Sequence, residues 1–90
     1  MKQSDLYGIA SHCNFTVTDF SDHPDFFSSW SLTIKRDEQR YVIEHDGRDN
    51  WLTFFNAADV NNFIELDIKN TLTMSDSAIL KQCELWLSSV

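Results

Sequence analysis

The sequence predicts an α+β fold: an antiparallel meander of about four strands, with a C-terminal helix and a second helix packed on one face. Three observations carry that expectation. Short runs of alternating polar and apolar residues recur through the first part of the 90-residue chain, the period of strands with one buried face. Charged or Asp-Gly punctuation separates the runs, which suits hairpins. Beyond Asn56 the apolar period lengthens to that of a helix.

Asn14-Phe15-Thr16-Val17-Thr18 alternates, and Thr and Val suit a pleated surface, so it reads as a first strand with Phe15 and Val17 inward. Between Asp19 and Ser29 a loop is expected. Pro24 pushes the residue before it out of helical geometry, and the short polar side chains around it favour turns. Ser29 to Lys35 is the clearest strand, with Trp30, Leu32 and Ile34 on one face and Ser31, Thr33 and Lys35 on the other. The charged run Arg36-Asp37-Glu38-Gln39 separates it from a third strand, Arg40 to His45, and implies a hairpin loop longer than two residues. Asp46-Gly47 reads as a two-residue turn because glycine tolerates positive φ, and Trp51 to Phe55 as the fourth strand.

After Asn56, the spacing of Val60, Phe63, Ile64, Ile68 and Leu72 predicts the second helix, with Asn56 and Asp59 at its start. A competing reading takes Ile64-Glu65-Leu66-Asp67-Ile68-Lys69, which alternates strictly, as an edge strand. Thr73-Met74-Ser75-Asp76 matches a capping box, in which hydroxyl and carboxylate satisfy unpaired backbone N–H groups. It predicts a terminal helix whose stripe Ile79, Cys83, Trp86, Leu87 and Val90 docks on the sheet. No repeat or linker interrupts the chain, so residues 1–90 are read as one domain.

Hydrophobic residues make up 42% of the chain and aromatics 13%, enough for a core despite a net charge of -7. Cys13 and Cys83 are read as free thiols, because a small disulfide-dependent domain carries more cysteines. Residues 1–13 lack the apolar run of a signal peptide, and no stretch approaches the roughly 20 apolar residues of a membrane span. A cytoplasmic location and no membrane partner are expected. Fourteen acidic residues stand against seven basic ones. That balance disfavours nucleic acid, which is held mainly through Lys and Arg, and favours a basic protein partner.

Catalytic motifs are not found. Two scattered glycines cannot form a phosphate-cradling loop, and there is no Gly-x-Ser-x-Gly elbow. The side chains His12, Cys13, His23, His45 and Cys83 show no metal-ligand spacing, so neither metal nor cofactor is expected. Glu44-His45-Asp46-Gly47-Arg48-Asp49 departs from the calcium-loop register. It does hold the densest titratable cluster, the ingredients of acid–base catalysis. Alternation, however, sends Glu44 and Asp46 to the polar face and His45 to the side of Tyr41 and Ile43. Lys35, Arg36 and Arg40 flank Asp37 and Glu38, which suggests mutual pairing.

The aromatics are the more informative feature. Phe26-Phe27 and Phe54-Phe55 are adjacent pairs, and Trp51, Thr53 and Phe55 oppose Leu52 and Phe54, so rings leave the chain on both faces. Either a loop or the N-terminal segment covers the second face, or that face is a partner-binding patch rimmed by carboxylates. The chain resembles the small immunity proteins of bacterial polymorphic-toxin and contact-dependent growth inhibition systems, being short, acidic, aromatic-rich and free of catalytic motifs. The resemblance implies a non-enzymatic inhibitor that blocks the cleft of a basic toxin, with a nuclease as the expected class. The expected partner-binding residues are Asp37, Glu38, Glu44, Asp46, Asp49 and Trp51. A structural or regulatory homo-oligomer, such as a homodimer formed through a sheet edge or the surplus aromatic face, is the alternative.

Overall fold

Alternation in the middle of the chain produces the sheet that organises everything else. The computed structural model describes residues 3–23, 25 and 27–90. In chain order its elements are α1 (Gln3–His12), β1 (Thr16–His23), β2 (Ser29–Arg36), β3 (Gln39–Asp46), β4 (Trp51–Asn56), β5 (Ile64–Asn70) and α2 (Asp76–Ser88). The five strands pair antiparallel in sequence order, so β1 and β5 form the two edges. This is the expected α+β meander with one strand more.

Residues paired directly across an antiparallel ladder share a face. One row, Trp30, His45, Leu52 and Lys69, lies on the side of the helices; the next, Ser31, Glu44, Thr53 and Ile68, lies on the opposite side. Helix-side residues Trp30, Leu32, Ile34, Tyr41, Ile43, Leu52 and Phe54 form the core with Phe15, Leu6 and Ala10 of α1, and Ile79, Cys83, Trp86 and Leu87 of α2. Fully burying one such side chain contributes about 1.5–3 kcal/mol. Trp86 stacks on Phe54 at 5.3 Å between ring centroids, and its indole N–H donates to Asp67 Oδ2 at 3.0 Å. One side chain thus ties α2 to both β4 and β5.

Several local expectations are corrected. The 57–72 region is not a helix: residues 57–63 form a loop and the competing edge-strand reading holds for β5. The second helix is α1, which buries only Leu6 and Ala10. The first strand begins two residues later than expected and runs through Asp19–His23, where the sequence predicts a loop, with a bulge at Thr18. Asp37 and Glu38 alone join β2 to β3, because Arg36 and Gln39 are already paired; Asp37 takes positive φ (56°). At the next turn residues 47–50 intervene, and the positive φ falls on Asn50 (61°) rather than on Gly47. Gly47 is needed for space: a Cβ there would lie 1.7 Å from the carbonyl oxygen of Phe27. The cap of α2 is Ser75, whose Oγ accepts from Ala78 N at 3.1 Å, not Thr73.

Candidate partner-binding face

Both helices cover the same side of the sheet, and among the described residues only loop 57–63 shields the other side. Asn56 Oδ1 accepts from Ala58 N, Asp59 Oδ1 accepts from Asn61 N, and Arg40 Nε donates to Ala57 O, which folds the loop back over the end of β3 and β4. Phe63 reaches Phe55 at 5.9 Å. Val42, although on the open side, is buried beneath this overhang. A hollow of about 370 Å³ remains beside it, lined by Thr18, Asp19, Thr33, Arg40, Val42, Ala57, Val60 and Phe63.

Beyond the overhang the open face carries exposed apolar side chains around a buried Thr53. Most of the exposed large hydrophobic side chains among the described residues fall between Trp51 and Leu72. Trp51 (41% exposed), Leu66 (47%) and Ile68 (40%) lie on β4 and β5, while Leu52 and Phe54, their helix-side neighbours, are sealed. Toward β1 and β2 the same face turns polar, with Thr16, Ser21, Ser31 and Thr33. Glu44 sits in the row of Thr53 and Ile68, and Asp46 in the row of Trp51. Carboxylates therefore border the apolar strip.

The six expected partner-binding residues fall into two groups. Glu44, Asp46, Asp49 and Trp51 gather where β3 turns into β4; Asp37 and Glu38 occupy the β2–β3 turn at the other end of β3. At about 3.3 Å per residue, some 20–25 Å separates them. Asp46 also has a local task, since its Oδ1 accepts from Arg48 N (3.0 Å) and Asp49 N (3.3 Å) and holds the turn. Leu66 and Ile68, whose spacing suits a helix, and Asp19, in a segment whose polar side chains favour turns, also belong to this face.

The acid–base cluster does not converge. His45 turns to the helix side, 5.7 Å from Trp30, with Nδ1 3.2 Å from Ser28 O, while Glu44 and Asp46 lie on the open side. Nor do the basic residues simply pair with Asp37 and Glu38. Arg36 donates to the carbonyl oxygens of Cys13 and Val90 and covers the Phe15 ring at 4.3 Å, and Arg40 donates to Ala57 O. No group of three or more metal-ligating side chains gathers among the described residues. Cys13 and Cys83 are both free thiols, and burial pushes the Cys83 thiol up to about 12. Asp67, by contrast, is held below the usual carboxylate range, chiefly by the indole N–H of Trp86 and then by the backbone N–H of Ile68.

No family model, curated protein or solved structure matches the chain. No helix among the described residues is long and apolar enough to cross a membrane.

Proposed function

We propose that the protein is a stoichiometric inhibitor that binds and neutralises a basic toxin, with a nuclease as the favoured class, through the uncovered face of its sheet. The observation that carries this reading is the strip Trp51, Ile68 and Leu66, exposed on a face whose border holds Glu44 and Asp46. Desolvated aromatic and aliphatic anchors supply binding energy, and surrounding carboxylates steer a cationic partner and speed its arrival. The hollow beside Val42, lined by Val60 and Phe63 as well as by Asp19 and Arg40, suits an apolar side chain of the partner. Filling a toxin's nucleic-acid cleft with such a surface replaces phosphates by carboxylates. The short acidic character shared with immunity proteins points the same way.

The test is co-purification with the toxic C-terminal domain of a larger protein encoded immediately upstream, together with protection of cells that express that domain. Failure of the two proteins to bind ends the assignment. Within the complex, Trp51→Ala is expected to cost about 2 kcal/mol, mostly by faster dissociation. Charge should be removed with Glu44→Gln, Asp46→Asn and Asp49→Asn, since an amide at position 46 still accepts the turn's N–H groups. Association slowed by roughly tenfold is expected for the triple variant; an unchanged rate would mean that another surface does the steering.

A further inference from the structure

Strand β5 is exposed along its whole length apart from Asp67, and among the described residues no strand pairs with its outer backbone edge. An edge of this kind is a template for another strand, and its central N–H, of Ile68, now donates to Asp67 Oδ1 at 2.9 Å, a bond that strand pairing exchanges for one to the added strand. We propose that a second copy of this chain occupies it, β5 against β5 antiparallel, with the molecular two-fold passing through Ile68. This goes beyond the inhibitor reading and does not depend on it.

The charges on β5 select that register. For two copies to keep their helices on the same side of a continuous sheet, the axis must pass through a residue, and four central choices exist. Centring on Leu66 draws the displaced start of β5, Ile64 and Glu65, into the ladder. Centring on Asp67 opposes two carboxylates, and centring on Lys69 opposes two ammonium groups. Centring on Ile68 sets Asp67 against Lys69 twice and joins the two isoleucines. Opposite charges directly across a ladder are favourable and like charges are not. Asp67 and Lys69 already meet within one chain at 3.7 Å, on the helix side, so the dimer builds a square of alternating charge.

Geometry agrees. The pairing of β4 with β5 shifts register at Leu66, and from Asp67 to Asn70 the strand is regular. A two-fold at Ile68 lets the strands pair from Leu66 to Asn70 and leaves the distorted start of β5 outside. Glu65 cannot rescue the Asp67-centred alternative. It pairs with Phe55 on the open side, whereas Lys69 pairs with Leu52 on the helix side. On the open face, Trp51 and Ile68 of both copies become one apolar band.

Sedimentation of the full chain at high micromolar concentration tests this. The expected mass is twice the 10.5 kDa of one chain; a single-chain mass for the unaltered protein would overturn the proposal. Asp67→Lys and Lys69→Asp should each abolish the dimer, and an equimolar mixture of the two should restore it, because every cross-strand pair is then again Lys with Asp. If the mixture stays monomeric while circular dichroism shows both variants folded, the register is wrong. Asp67→Lys also loses the Trp86 hydrogen bond, so Ile68→Lys, on the open face, serves as an independent variant. It should be folded and monomeric, and a dimer of unchanged strength would overturn the proposal. Because the toxin is absent from these measurements, failure here leaves the inhibitor reading standing.

Discussion

Gly47 and Cys83 are small side chains whose surroundings, rather than their chemistry, give them consequence. At Gly47 the loop following β1 crosses so closely that a methyl group would collide with backbone, which a flexible side chain could not relieve. Gly47→Ala is therefore expected to cost about 1–3 kcal/mol in urea unfolding. Cys83 is sealed among core residues, so the folded state holds the neutral thiol up to about 12. The unfolded chain ionises it near 8.5. Stability is thus intact below that lower value and falls as pH rises between the two, by up to about 1.4 kcal/mol per pH unit. The difference in pH dependence between the protein and Cys83→Ala, followed by denaturant unfolding from pH 8 to pH 11, should show this slope. Asp67 works in the opposite sense. Its folded pKa is depressed by the Trp86 indole, so its contribution is present at neutral pH and is lost as pH falls through the carboxylate range. An NMR titration should place its carboxyl below that of an unperturbed Asp, and Trp86→Phe should move it back up.

Among the elements, α2 and β5 show how much a boundary depends on context. Thr73 and Ser75 both resemble helix caps in sequence, yet only Ser75 has its oxygen within reach of Ala78 N. Ser75→Ala should cost about 1 kcal/mol of stability and Thr73→Ala very little. The opposite ranking would restore the capping box. β5 misleads for a different reason. Val60, Phe63, Ile64, Ile68 and Leu72 have helical spacing, but each is exposed, so their spacing records no buried face. The strictly alternating Ile64–Lys69 run describes the backbone correctly. Likewise β1 beyond Val17 is mostly polar because an edge strand can face water, and α1 escapes notice because two buried residues make a faint stripe. The strands β2, β3 and β4 and the stripe of α2 are legible, since there alternation or helical period coincides with burial.

For the molecule as a whole, the placement of both helices on one side leaves an apolar strip bordered by carboxylates on the other. With a net charge of -7, the proposed binding to a cationic toxin should slow on association as ionic strength rises through a Debye length of about 8 Å at physiological salt. Dissociation should change much less, because the proposed anchors Trp51, Leu66 and Ile68 are uncharged. Stopped-flow measurement over a salt series separates the two rates. A salt-independent association rate would mean that the acids border the site without steering anything to it.

The sequence by itself determined the fold class, the central strands, the inward residues of the terminal helix and the presence of rings on both sides of β4. Each of these is a local periodicity, and period two or period 3.6 maps directly onto faces. Only the tertiary structure decided that the N-terminal helix joins α2 instead of covering the second face, and that 64–70 is an edge strand. It also decided that Asp37 and Glu38 lie far from Glu44, Asp46, Asp49 and Trp51. These are facts about which surfaces meet, and they depend on residues distant in the chain competing to bury the same apolar area.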